Sequence, residues 1–159
     1  TVTDSKGNTI TVTDKGDGIY TFTMPGGRVS VDVTFVPEKQ WTNPFVDVAD
    51  STWYYDAVRY VNENGLMAGT SGNTFSPDAT TTRGMLVTIL YRLENEPAVS
   101  GGSAFTDVEN GAWYADAVAW AAANDIVNGT SATMLSPKSD AIRAQVAAIL
   151  TRFCQNIVK

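Results

Sequence analysis

Between residues 8 and 36, apolar side chains recur at every second position. Ile10 and Val12 alternate with Thr9, Thr11 and Thr13. Tyr20, Phe22 and Met24 alternate with Thr21 and Thr23, and Val29, Val31, Val33 and Phe35 form a third run. A period of two with β-branched and aromatic residues predicts half-buried antiparallel strands. The separators, Asp14-Lys15-Gly16-Asp17-Gly18 and Met24-Pro25-Gly26-Gly27, carry turn chemistry. The first of them lacks the twelve-residue pattern and closing Glu of a calcium loop. The expectation is a three-stranded antiparallel meander over 8–36, within an N-terminal segment 1–38. Such a sheet is marginal unless its apolar face is covered.

The pattern then changes period. Shifting the chain by 60 residues aligns 45–93 with 105–153 without a gap, and 18 of the 49 positions are identical. Repetition on this scale means one supersecondary unit used twice, each copy needing a neighbour to bury its apolar face. In the first copy Trp53, Ala57, Tyr60 and Val61 fall on one helical stripe, and Trp113, Ala117, Trp120 and Ala121 repeat it. This predicts that Trp53 and Trp113 pack in the core, with stacking on a sugar ring as the alternative. Asp50 or Ser51 is the expected N-cap, and Gly65 the expected stop.

Ser76-Pro77 introduces a second helix with the stripe Leu86, Ile89, Leu90 and Leu93, matched by Val146, Ile149, Leu150 and Phe153. Thr81 or Thr82 is its expected cap in copy one and Asp140 in copy two. Cys154 reads as a half-buried apolar residue at the end of the last stripe. The helices are placed near 52–64, 82–93, 112–124 and 141–154. The fold class is therefore α+β, a meander followed by two helix-loop-helix repeats packed as a helical bundle. The repeats span 42–94 and 105–154, with a linker at 95–104.

Composition narrows the chemistry. Eleven basic against seventeen acidic residues leave a net charge of −6, which argues against a nucleic-acid partner. The chain has no histidine and one cysteine. Histidine-based catalysis, histidine zinc sites and internal disulfides are excluded. No catalytic residue, metal or cofactor is expected, and the chain is read as not an enzyme. No apolar run nears the ~18 residues of a membrane span, so no membrane insertion is expected. The opening Thr1-Val2-Thr3-Asp4 reads as a piece of a longer chain. Abundant Thr, Ser, Asn, Gly and Asp suit an extracellular bacterial protein.

The recurrent polar residues supply the candidate site. Arg83 and Arg143 lie in the first turn of their second helices, where free N–H groups and the helix dipole favour anions. A guanidinium there either grips a ligand carboxylate bidentately or bonds loop carbonyls or an acidic neighbour such as Asp47 or Asp107. Gly69-Thr70-Ser71 and Gly129-Thr130-Ser131 either line a groove or form ordinary turns; glycine permits close backbone approach and hydroxyls bond sugar oxygens. Asp56 and Asp116 fall in the first turn of a helix, where a carboxylate is stabilising without any catalytic role. Arg92 and Arg152 sit in a last turn, where a cation is favoured for its own sake.

Together, several segments resemble the S-layer homology domain. Copy one has Phe45-Val46-Asp47-Val48, Trp53-Tyr54-Tyr55-Asp56-Ala57-Val58, Asn64-Gly65-Leu66-Met67-Ala68-Gly69, Phe75-Ser76-Pro77 and Thr81-Thr82-Arg83-Gly84. Copy two has Phe105-Thr106-Asp107-Val108, Trp113-Tyr114-Ala115-Asp116-Ala117-Val118, Ile126-Val127-Asn128-Gly129, Leu135-Ser136-Pro137 and Ala141-Ile142-Arg143-Ala144. The family's signature at the second helix is roughly Ile-Thr-Arg-Ala-Glu. Both arginines are kept here, but Met85 and Gln145 stand where the glutamate would be.

The resemblance implies a module that tethers a surface protein to the bacterial cell wall, where the ligand is a secondary polysaccharide bearing pyruvate ketals. The implied ligand-binding residues are Arg83, Thr82 and Gly69–Ser71 in copy one, with Arg143 and Gly129–Ser131 in copy two. Copy one, which has its hydroxyl cap, is expected to bind more strongly. The resemblance also implies three repeats around a pseudo-threefold where this chain has two. The uncovered edge is then met either by the N-terminal strands or by a second copy of the chain in a homo-oligomer. The alternative function is a structural or assembly module.

Overall fold

A computed structural model describes residues 1–16, 18–34 and 41–158. Phe35, the end of the segment 1–38 and Asp17 of the first turn lie outside the described residues. The chain forms two compact units, Thr1–Gln40 and Trp41–Lys159. Its class is α+β, with four short strands in the first unit and four α-helices in the second among the described residues.

The strands are β1 (Val2–Asp4), β2 (Val12–Asp14), β3 (Tyr20–Phe22) and β4 (Val29–Val31). They do not form a three-stranded meander. They pair as two antiparallel two-stranded sheets, β1 with β4 and β2 with β3. The register sets Val2 against Val31 and Val12 against Phe22. A turn missed in the pattern decides this. The Asp4 carboxylate accepts from the N–H groups of Lys6 and Asn8, at 2.8 Å each, and from the Asn8 amide. The chain folds back there, Ile10 N–H donates to the Val2 carbonyl, and Val2–Asp4 becomes available as a strand. Pro25, which has no N–H, interrupts the path from β3 to β4. Of this unit's apolar residues Val2 is buried, while Tyr20, Met24, Val31 and Val33 are exposed. The half-buried face expected of the alternation is therefore not formed.

The second unit carries α1 (Tyr55–Glu63), α2 (Arg83–Leu93), α3 (Ala115–Ala123) and α4 (Arg143–Phe153), with a π-helical turn at Cys154–Val158. The first helix of each repeat begins about one turn later than expected. The residues before α1 are spent on a turn in which Thr52 bonds the Ala49 carbonyl, and neither Asp50 nor Ser51 caps the helix. In copy one the inward stripe is consequently the next one round, with Ala57 and Tyr60 exposed, whereas in copy two Ala117, Trp120 and Ala121 of the expected stripe are buried. Tyr54 and Val58, and in copy two Tyr114 and Val118, face the core. Trp53 is 92% exposed and Trp113 61% exposed, so neither packs in the core. Gly65 closes α1 at φ +67°, as expected of a C-terminal glycine, and Asp125 takes the same left-handed conformation after α3.

The main core gathers α2, α3 and α4. Val87 and Leu90 meet Tyr114, Ala117, Val118 and Ala121, and Ile126, Leu135, Ile149 and Phe153 close it. Trp120 is buried between the rings of Tyr91 at 5.5 Å and Phe153 at 6.4 Å. A smaller cluster forms around α1, where Phe45, Val48 and Val58 pack with Trp41 and Phe75. The helices thus do not share one bundle core. The second-helix stripes face inward at Leu90, Ile149 and Phe153, while Leu93 and Leu150 are exposed. Cys154 is exposed, because the helix gives way to the π-helical turn there.

Candidate functional site

The two repeats meet where the start of α2 docks on the loop preceding α4. Arg83 N–H donates to Ser139 O at 2.9 Å, Gly84 N–H to Pro137 O at 2.8 Å, and Ala141 N–H to Thr81 O at 3.0 Å. Thr82 is the N-cap and accepts from Met85 N–H at 3.2 Å. The amides at the start of α2 are therefore spent within the protein, leaving no free N–H groups for an anion. Gly84 permits the approach, since a Cβ there would lie 2.9 Å from the Pro137 carbonyl oxygen. Its counterpart Ala144 is exposed.

Arg83 crosses the same junction. Its Nε donates to Leu135 O at 2.8 Å and its Nη2 to Asn128 O at 2.6 Å. The residue is 4% exposed. Burial pushes the guanidinium below its ordinary pKa, opposed by the field of Asp107. Asp107 makes no ion pair with it within 4 Å. That carboxylate accepts instead from the N–H groups of Leu135 and Ser136, at 2.9 and 2.7 Å. Desolvation works to raise the Asp107 pKa; these N–H groups and Arg83 outweigh it and hold the carboxyl low. In copy one, Asp47 bonds Phe75 and Ser76 N–H in the same way, at 2.8 and 2.7 Å, and the Phe75 bond leads in lowering its pKa. These bonds pin Ser76 and Ser136, both at φ +58°.

Two grooves result. The first-repeat groove, of about 470 Å³, includes Gly69, Thr70, Thr81, Met85, Arg92 and, from the second repeat, Trp113. The second-repeat groove, of about 260 Å³, includes Asn128, Gly129, Thr130, Gln145, Arg152 and, from the first repeat, Arg83. Gly69 and Gly129 are required by close approach: a Cβ would come within 2.3 Å of Thr74 O in one case and 2.2 Å of Ser131 O in the other. Thr70 and Thr130 each share a hydrogen bond with the serine of the neighbouring turn, at 2.6 and 2.7 Å.

This arrangement regroups the residues anticipated from sequence. Arg83 belongs with Gly129 and Thr130, not with Gly69–Ser71. Arg143 is exposed and lines neither groove. Ser71 bonds Thr74, Ser131 accepts from Met134 N–H, and Thr82 is engaged as a cap; none of the three lines a groove. Asp140 does not cap α4: it accepts from Thr80 at 2.7 Å, and Gln145 accepts instead from the N–H of the N-cap Ile142, at 3.2 Å. Arg92, Arg152 and Trp113 are groove residues that helical patterning missed. Their recurrence at a 60-residue offset was visible, but a last-turn arginine and a stripe tryptophan each have an ordinary structural explanation.

The family model for the S-layer homology domain matches residues 44–84 and 104–147. The chain belongs to the S-layer homology domain family. Among relatives, the surface-layer 125 kDa protein of Lysinibacillus sphaericus is 30% identical over 138 residues, covering 86% of this chain and 11% of that protein. The cellulosome-anchoring protein of Acetivibrio thermocellus is 29% identical over 113 residues, 68% of this chain and 25% of that protein. An endoglucanase of a Bacillus species is 31% identical over 109 residues, again only 11% of its length. The chain thus spans a small part of each relative. The S-layer homology domain is a cell-wall binding module, not a catalytic one, and it places this chain at the cell surface. Among the described residues no helix is long and apolar enough to cross a membrane.

Proposed function

We propose that the chain anchors a bacterial surface protein non-covalently to the cell wall by holding an anionic, pyruvate-ketal-bearing secondary polysaccharide in the second-repeat groove. One observation carries this reading: two guanidinium groups line that groove without a carboxylate partner among the described residues. Arg83 is buried and bonded to carbonyls alone, and Arg152 makes no hydrogen bond or ion pair there. Arg83 feels the field of Asp107 but makes no ion pair with it; a buried cation so held is costly, and a ligand carboxylate would offset that cost. Gly129 keeps the loop backbone close, and Gln145 adds an amide able to donate to sugar oxygens.

The test is co-sedimentation with purified cell walls, before and after chemical removal of the secondary polymer. Wild type is expected to pellet with intact walls and stay in solution with stripped ones. Arg152→Ala should weaken the pelleting roughly tenfold, since a hydrogen bond to a charged group contributes about 1.5–3 kcal/mol. Equal pelleting by intact and stripped walls would refute the polysaccharide as ligand.

A further inference from the structure

The two grooves have the same frame and different chemistry. Gly69, Thr70, Ile89 and Arg92 recur as Gly129, Thr130, Ile149 and Arg152 in lining them. Their charges differ. Arg92 Nε lies 3.6 Å from the Glu96 carboxylate, and its Nη1 donates to Leu66 O at 3.3 Å. The residue corresponding to Glu96 in copy two is Asn156, whose amide donates to Asn124 O. Among the described residues Arg152 therefore has no ion-pair partner where Arg92 has one. Arg83 adds a second cation to the second-repeat groove, whereas among the described residues Arg92 is the one arginine lining the first-repeat groove.

Their surfaces differ as well. Trp113 lines the first-repeat groove with its indole largely exposed, set edge-on against Tyr114 at 5.0 Å and 82°. Among the described residues no aromatic one lines the second-repeat groove. A broad exposed indole beside hydroxyls, with its nearby cation already paired to Glu96, suits the apolar face of an uncharged sugar ring. The ring's C–H groups would cover the indole, while its hydroxyls meet Thr81 at the rim.

We propose that the first-repeat groove takes an uncharged pyranose residue stacked on Trp113, so that the module reads a neutral sugar in one groove and an anionic one in the other. This rests on the wall polysaccharide as ligand. The probe is a secondary wall polysaccharide carrying pyruvate ketals, titrated calorimetrically against the whole chain, intact and after mild acid has removed the ketals. Trp113→Ala should weaken binding to both polymers about five- to tenfold, with Trp113→Phe recovering most of the loss. Arg152→Ala should weaken binding to the intact polymer alone.

If Trp113→Ala leaves both affinities unchanged while Arg152→Ala weakens the intact polymer, the stacked sugar is refuted and the anionic groove stands. If the Trp113→Ala loss disappears with the ketals, the first-repeat groove also reads charge, and the proposal fails. If Arg152→Ala changes nothing while both polymers lose affinity with Trp113→Ala, the neutral groove stands and the anionic one fails. Trp113 is largely exposed, so its variants are expected to fold, and circular dichroism checks the folding of every variant.

Discussion

Arg83 and Arg143 occupy equivalent positions in the two repeats, and the structure gives them opposite roles. Removing each therefore separates a junction strut from a surface side chain. Arg83→Ala deletes two hydrogen bonds to Leu135 O and Asn128 O, at 2.8 and 2.6 Å, from a buried guanidinium. Bonds from a charged donor contribute about 1.5–3 kcal/mol each. Alanine also escapes the desolvation cost that pushes the Arg83 pKa down, so the sum is discounted. The expected net loss is about 2–4 kcal/mol, or a fall of roughly 10 °C in Tm for a unit of this size.

Arg143→Ala removes an exposed side chain with no hydrogen bond or ion pair among the described residues, and stays within about 0.5 kcal/mol of wild type. Arg83→Lys keeps the charge but loses the planar fork that reaches two carbonyls at once, and falls between. Thermal and urea unfolding, followed by circular dichroism on the whole chain, measure all three. Arg83→Ala melting within about 2 °C of wild type would show that the guanidinium does not hold the repeats together. A similar loss in Arg143→Ala would show that the two positions are not distinguished as described.

Two further outcomes follow from the same structure. Asp125 is left-handed at φ +54° where copy one has Gly65; Asp125→Gly removes that strain and should raise stability by about 0.5–1 kcal/mol, read as a higher urea midpoint. Asp47 and Asp107 both have lowered pKa values in the folded state, so their contribution is fully present above the unfolded carboxyl value near ~3.9 and is lost as pH falls through the lower folded values. The urea midpoint should accordingly hold above about pH 5 and drop below about pH 4, and the deficit of Asp107→Asn relative to wild type should shrink on acidification.

The repeat, its helix pairs and its family were legible in the chain, because a 60-residue offset conserves the residues that local folding needs. Gly69 and Gly129 recur because a Cβ would strike loop carbonyls. Asp47 and Asp107 recur because each clamps the backbone of a left-handed serine. The second helices could be placed within a residue or two by their stripes and by Thr82.

What periodicity left undecided was phase and partnership. Trp53 and Trp113 fit a helical stripe by spacing. The helices begin about one turn later, and the face that turns inward is set by packing on Phe75 or Leu135, far away in sequence. The strands paired as two ribbons because a carboxylate turn at Asp4, a feature without period, brought the first residues back into register.

The arginines are the sharpest case. Spacing pairs Arg83 and Arg143 each with the loop of its own repeat and distinguishes them only by the hydroxyl cap that favours copy one. Only tertiary structure decided that Arg83 reaches across the junction to Asn128 and Leu135 while Arg143 stays exposed. A local pattern specifies what a side chain can donate. Which carbonyls lie within 3 Å of it depends on how two repeats dock, and that is settled by the apolar surface buried between α2 and α3.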